Sequence, residues 1–126
     1  MAFSVTLSEE GYIHAVYEGK LDMQGIRGLL HEVAMTVKEH ECYLVLSDYR
    51  NAILGISITD LYEMPRLILQ RGKEMGVSAY KIKRALIIPA ATYESFRFFE
   101  TVSLNNLQTV RIFTEVEPAR EWLLAK

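Results

Sequence analysis

The sequence predicts an α/β protein with a mixed, mainly parallel sheet, and three observations support this fold class. Predicted strands and helices follow the order β-β-α-β-α-β-α-β-α, which favours parallel strands joined by right-handed crossovers. The central strand, Cys42–Asp48, is apolar at both parities, as expected of a strand covered on both faces. Only a short turn at residues 8–11 separates the first two strands, which indicates an N-terminal hairpin. We expect residues 1–126 to form one domain.

The hairpin and the first helix are predicted from the spacing of apolar side chains. Phe3–Leu7 and Tyr12–Glu18 have the alternation that is typical of strands. Asp22 is a suitable N-cap for the helix that follows. Gly25 and Gly28 are unfavourable inside that helix by about 1 kcal/mol each relative to alanine. We therefore expect the first turns of this helix to pack closely against the sheet.

The second half of the chain continues the alternation. A loop is expected over Tyr49–Ile58, and both Ser57 and Thr59 are suitable N-caps for the second helix. Pro65 is expected to kink or delay that helix because proline lacks a backbone N–H. The remaining elements are a strand at Ile82–Pro89, a helix at Thr92–Leu104, a strand at Thr109–Phe113 and a final helix after Thr114.

Composition argues against several classes of function. A net charge of −2 and a pI near 5.9 provide no positive surface for nucleic acid. The basic cluster of Lys81, Lys83 and Arg84 is interpreted as a solvated strand entry. A single cysteine and three scattered histidines have no ligand spacing, so we predict no metal and no cofactor. No apolar run approaches the roughly 20 residues of a transmembrane helix, and no signal peptide is apparent, so we expect a cytoplasmic protein.

The predicted functional position is the end of the central strand. Ligands in open α/β sheets bind beyond the carboxyl ends of the strands. The predicted binding or working loop therefore comprises Asp48, Tyr49, Arg50, Asn51, Ser57 and Thr59. We expect Asp48 and Arg50 to pair and to hold the shape of the loop. Ser57 and Thr59 are candidate phosphorylation sites, although helix capping is the simpler explanation of both hydroxyls.

The third predicted helix is rich in aromatic residues. Tyr93, Phe96 and Phe99 lie on one stripe and are expected to contribute to the core. Phe98 lies about 100° from the centre of that stripe by helical geometry. Because exposed apolar surface often marks an interface, we predict that Phe98 contributes to a homodimer contact.

Several stretches of the sequence resemble one known group of proteins. They are Glu18–Asp22, Leu44–Asp48, Arg84–Ile88, Val110–Phe113 and Glu117–Leu123. The chain resembles small stand-alone bacterial proteins of the SpoIIAA-like or STAS-like kind, whose fold is shared, more remotely, with Sec14-type lipid-binding domains. Anti-sigma-factor antagonists of this fold carry Asp-Ser-Ser/Thr-Gly after the central strand. Here Asp48 is followed by Tyr-Arg-Asn-Ala, so the resemblance does not imply their phosphorylation switch.

Three functions follow from these observations. The first is a non-catalytic regulatory or protein-interaction module whose surface is the loop after the central strand. The alternative is a small-molecule or lipid-binding module, in which the aromatic third helix lines an apolar pocket. An enzyme is the least favoured, because no nucleophile and base are spaced to act together.

Overall fold

Strands alternate with helices through residues 2–125, the part of the chain described by the structure, which is a computed structural model. The strands are β1 (Phe3–Leu7), β2 (Ile13–Leu21), β3 (Leu44–Leu54), β4 (Lys83–Ile87) and β5 (Thr109–Phe113). The helices are α1 (Met23–His40), α2 (Ile58–Met75), α3 (Tyr93–Asn105) and α4 (Val116–Leu124). The predicted order of elements is therefore confirmed.

The five strands form one mixed sheet in the order β1-β2-β3-β4-β5. β1 and β2 pair antiparallel, as predicted for the hairpin, and all other neighbours are parallel. Helices α1, α2 and α3 pack on one face of the sheet, whereas α4 packs on the other face. In the central strand, Val45 and Leu46 point to opposite faces and each is 1% exposed. Both faces of β3 are thus covered, as its apolar pattern predicted.

Helix α1 packs on the sheet through a glycine. Asp22 caps the helix by accepting a hydrogen bond from the Gly25 amide at 2.8 Å. A Cβ atom added at Gly25 would lie 1.9 Å from the hydroxyl oxygen of Tyr17. That hydroxyl donates in turn to the carbonyl of Lys20 at 2.9 Å. No side chain fits at Gly25 without displacing Tyr17, which confirms the close packing that the glycines predicted.

Helix α2 begins at Ile58, directly after a complete capping box. The Ser57 hydroxyl accepts from the Asp60 amide at 3.1 Å, and the Asp60 carboxylate accepts from the Ser57 amide at 3.4 Å. Ser57 is therefore the N-cap, and Thr59 lies inside the first turn. The helix continues through Pro65 to Met75, so the expectation that Pro65 delays it is wrong. The capping box fixes the start of the helix ahead of the proline.

Strand β3 is longer than predicted. The predicted loop begins at Tyr49, whereas the strand continues to Leu54, so the loop prediction is wrong for residues 49–54. Residues 51–54 pair with residues 18–21 of β2. Between the pairs Val16–Asp48 and Glu18–Asn51, one residue of β2 lies opposite two residues of β3, so β3 contains a bulge. β4 ends opposite Asp48, so beyond this point β3 pairs with β2 alone. We call residues 18–21 and 51–54 the β2–β3 extension.

Candidate functional site

A cavity lies between the sheet and helices α1, α2 and α3, and we call it the interhelical cavity. Its volume is about 60 Å³, which is room for about four water molecules. The walls are mainly aliphatic and aromatic, and the helices contribute Ile26, Leu29, Leu61, Met64, Phe96 and Phe99. The polar lining side chains all come from the strands and are Ser47, Tyr49 and Arg84. A neighbouring cavity of about 40 Å³ shares Arg84 in its lining.

Arg84 is the unusual residue of the interhelical cavity. It lies on β4, beside Val45 of β3 and Val110 of β5, and points to the same face as Leu86. Within residues 2–125 no carboxylate lies within 4.0 Å of its guanidinium. Burial lowers the pKa of Arg84 to about 10, because an apolar environment disfavours the charged form. Arg84 is half-buried and lines the cavity, so the interpretation of the basic cluster as a solvated strand entry does not hold for this residue.

Gln108 holds Arg84 in place. The Nη2 atom of Arg84 donates to Oε1 of Gln108 at 2.9 Å, and Nε2 of Gln108 donates to the carbonyl oxygen of Pro65 at 2.7 Å. Gln108 is 2% exposed, so its bond to Pro65 is buried, whereas its bond to the half-buried Arg84 is partly buried. The guanidinium also lies 5.8 Å from the centre of the Phe99 ring, within cation–π range. These contacts orient the guanidinium without neutralising it.

Tyr49, predicted to belong to the working loop, lies in the wall of the interhelical cavity instead. Its ring stacks on Phe96, with ring centres 5.9 Å apart, and tilts against Tyr17 at 6.5 Å. Burial raises the pKa of the Tyr49 hydroxyl, although the positive charge of Arg84 opposes this. The hydroxyl is therefore neutral at physiological pH and is available as a hydrogen-bond donor beside the cation.

Asp48 and Arg50 form an ion pair on the opposite side of β3. The Asp48 carboxylate accepts from Nη2 of Arg50 at 2.7 Å, from Nε at 3.0 Å and from the Arg50 amide at 3.0 Å. Burial opposes ionisation of Asp48, but the hydrogen bonds and charge of Arg50 outweigh it, so the pKa of Asp48 is lowered. Because Asp48 is only 9% exposed, it supports the β3 bulge rather than offering a surface contact.

The other predicted working-loop residues are on the surface. Asn51 lies on the β2–β3 extension, whereas Ser57 and Thr59 lie at the start of α2, and all three are exposed. The six predicted residues therefore do not form one site. The β3 bulge and the alternation of the strand separate Tyr49 from Asp48 and Arg50. Sequence reasoning missed Gln108, for which the chain shows no signal beyond a polar residue before a strand.

Phe98 is 38% exposed, in contrast to the buried Phe96 and Phe99 of the same helix. Its ring contacts Tyr62 of α2, with ring centres 6.4 Å apart. Tyr62 and Ile58, one turn earlier in α2, are 53% and 66% exposed. These side chains form an apolar patch at the outer edge of the α2–α3 pair.

The described residues contain neither a metal-ligand cluster nor a membrane-spanning helix. Residues 2–125 contain no group of three His, Cys, Asp or Glu side chains that could hold a metal ion. In the same range, no helix combines the length and the apolar character needed to cross a bilayer. The absence of a bound metal or cofactor stays a prediction from the sequence, which elemental analysis of purified protein can test.

Comparisons with known proteins identify the fold. No model of a protein family matches the sequence, and a search of curated proteins finds no relative. The chain is similar to an uncharacterised protein of the DUF3478 family from Shewanella loihica PV-4, whose crystal structure has a SpoIIAA-like fold. The TM-score is 0.57 at 18% identity, over 97% of this chain and 92% of that chain. The protein therefore has the SpoIIAA-like fold that the resemblance in its sequence predicted.

Proposed function

We propose that this protein is a non-catalytic binding module that holds a small organic ligand in the interhelical cavity. It is the alternative function that the sequence predicts. The observation that carries it is the composition of the cavity, in which apolar walls from three helices face a few polar groups on the sheet. Ligand sites are typically built in this way, with polar groups that orient the ligand and apolar walls that bury it.

The absence of a base among the residues that line the cavity supports a non-catalytic role. Ser47 and Tyr49 carry hydroxyls, but the described residues that line the cavity include no histidine, cysteine or carboxylate. A serine hydroxyl is a weak nucleophile unless an adjacent base activates it. The described lining of the cavity therefore suits a role in binding and orienting a molecule.

The test is native mass spectrometry of protein purified from its own host. We expect a retained small molecule in the wild type, and its loss in Val33→Phe, which fills part of the cavity from α1. The matched control is Val116→Phe on α4, across the sheet from the cavity. Both substitutions add volume and are expected to cost about 1–3 kcal/mol of stability. Retention of the same molecule by Val33→Phe would contradict the proposed site.

The second candidate is the regulatory or protein-interaction module, and the β2–β3 extension favours it. Within residues 2–125, residues 51–54 of β3 have no strand partner on the β4 side. Ile53 in this segment is 69% exposed. An unpaired strand edge is a template for an added strand from another chain. The contact surface would comprise this edge together with Asn51, Ser57 and Thr59.

A pull-down with purified variants tests this candidate. Ile53→Lys places a charge on the unpaired edge, and Leu104→Lys places one on a comparably exposed position of α3. If the edge is the contact surface, the first variant loses the partner that the wild type and the second variant retain. Equal capture by all three proteins would place the interaction elsewhere.

Phosphorylation and location remain predictions from the sequence. The Ser57 hydroxyl is committed to the Asp60 amide, and the Asp60 carboxylate beside it would repel a phosphate. Thr59 is exposed and is therefore the better candidate of the two. The proposed cytoplasmic location rests on composition and on the free thiol of Cys42.

A further inference from the structure

We infer that the interhelical cavity takes an apolar molecule bearing one carboxylate, which Arg84 binds as its counter-ion. This inference rests on the proposed function and adds the chemical class of the ligand. It depends on one contrast within the cavity, where a fixed cation without a carboxylate partner lies among apolar walls.

The described residues use little of the hydrogen-bonding capacity of Arg84. A guanidinium has five N–H donors in a planar fork. Within residues 2–125, only the bond to Gln108 uses one of them. Arg84 is half-buried, and taking a charge even partly out of water is unfavourable unless it is paired or hydrogen-bonded. A carboxylate, which accepts two parallel N–H bonds from this fork, supplies the missing partner.

The second step concerns orientation. Gln108 fixes one edge of the guanidinium, and the Phe99 ring lies beside it. Gln108 is itself fixed by the carbonyl of Pro65 on α2. A donor group held in this way loses little freedom when an anion binds, which favours affinity. The raised pKa of Tyr49 is consistent with this geometry, since its neutral hydroxyl can donate to the same anion.

The third step concerns the charge and shape of the ligand. Arg84 is the one cation among the described residues that line the interhelical cavity, so it balances one negative charge. A carboxylate carries one charge, whereas a phosphate monoester carries about 1.5 to 2 at neutral pH. The rest of the lining is apolar and close to the aromatic rings of Phe96 and Phe99. The ligand is therefore a monocarboxylate with a hydrocarbon body.

Volume limits the hydrocarbon body. The cavity of about 60 Å³ corresponds to about four water molecules, which is the volume of a chain of about four or five carbons. The neighbouring cavity of about 40 Å³ adds room for about three waters beyond Arg84. We therefore choose straight-chain carboxylates of four to eight carbons as probes.

The experiment is isothermal titration calorimetry of ligand-stripped protein with octanoate, hexanoate and butanoate. Octan-1-ol and octyl phosphate serve as probes with a changed head group. We expect at least one carboxylate to bind about ten-fold or more tightly than octan-1-ol, because a charge-assisted bond is lost in the alcohol. In Arg84→Met the ratio of the affinity for the carboxylate to that for octan-1-ol should fall to about one. Arg50→Met, which alters an arginine across the sheet, should retain it.

Each result decides the inference. If no carboxylate binds the wild type more tightly than octan-1-ol does, the carboxylate assignment is overturned while the proposed binding function stays intact. Tighter binding of octyl phosphate than of every carboxylate would overturn it in favour of a phosphate. No binding of any probe would also overturn it, and retention of a molecule in native mass spectrometry would then show that the binding function itself survives. The wild-type comparison needs no variant, so it holds even if Arg84→Met fails to fold.

Discussion

Two arginines on neighbouring strands show opposite solutions to the problem of placing a positive charge. Arg50 on β3 is half exposed and is paired with Asp48 through its side chain and its backbone amide. Arg84 on β4 lines an apolar cavity and has only the neutral Gln108 as its partner. The first arrangement balances charge within the chain, and the second leaves the balance to something from outside the described residues.

The comparison separates an ion pair that stabilises the fold from a cation that we propose binds a ligand. A paired group near the surface, such as Asp48, is explained by the local structure that it stabilises. Arg84 is not explained in this way, because a half-buried charge without a carboxylate partner opposes folding. The sequence predicts that the polar residues at the end of the central strand are functional. In the structure, Asp48 and Arg50 form an ion pair at the β3 bulge.

Removing the carboxylate of Asp48 tests whether its ion pair with Arg50 stabilises the fold. Asp48→Ala should lower the free energy of unfolding by about 1–3 kcal/mol, because the Arg50 amide and guanidinium lose a shared acceptor. Urea denaturation at pH 7 measures the change. A change below about 0.5 kcal/mol would show that the bulge does not depend on the pair.

Acidification should remove the difference in stability between the wild type and Asp48→Ala. Because the folded pKa of Asp48 is lowered, the stability from its ionisation is fully present above the unfolded value of about 3.9. That stability is lost as the pH falls through the folded pKa. The gap between wild type and Asp48→Ala should therefore be constant from pH 5 to 7, by this reasoning, and should narrow below about pH 3.9. A gap that widens on acidification would contradict the lowered pKa.

The comparison extends to two hydroxyls at the start of α2. Ser57→Ala should cost about 0.5–2 kcal/mol, because the cap of the helix is lost. Thr59→Ala is the matched control, since Thr59 is exposed and has no role in the capping box. Its substitution should change stability by less than about 0.5 kcal/mol. Thermal denaturation of both variants measures the difference, and equal losses would remove the distinction between a paired and a free hydroxyl.

The smallest expected effect on stability is at Phe98. Phe98→Asp should change the free energy of unfolding by less than about 0.5 kcal/mol, since the ring is partly exposed. If Phe98 and Tyr62 form a homodimer contact, sedimentation should shift toward monomer in this variant. Phe96→Ala, in the wall of the cavity, should instead cost about 3–5 kcal/mol. A wild-type protein that sediments as a monomer at tens of micromolar would end the dimer prediction.

Much of the fold could be predicted from the sequence because its signals are local. Apolar alternation, the Asp22 and Ser57 caps and the close approach at Gly25 all act within a few residues of one another. The extension of β3 beyond Asp48 could not be predicted in this way, because it depends on pairing with β2, a strand some 30 residues earlier. The polar run after Asp48 is also what a loop would show.

The candidate site was harder to predict for the same physical reason. Arg84 contacts Gln108, which precedes the neighbouring strand, and Gln108 in turn contacts Pro65 of a helix, so no local pattern marks this contact. One signal was present, however. The period-two alternation of β4 places Arg84 on the same face as Leu86, which is apolar and buried. A charged residue on a buried face was the evidence available in the sequence.

The central claim is that Arg84 serves binding rather than stability, and urea denaturation of ligand-stripped Arg84→Met tests it most directly. Methionine preserves much of the length of the side chain and removes the charge. The substitution replaces a half-buried charge with an apolar side chain. The free energy gained in this way should offset the loss of about 1 kcal/mol from the bond to Gln108. The account predicts a free energy of unfolding within about 1 kcal/mol of the wild type, or higher. A loss of more than about 2 kcal/mol would show that Arg84 is a structural residue and would contradict the account.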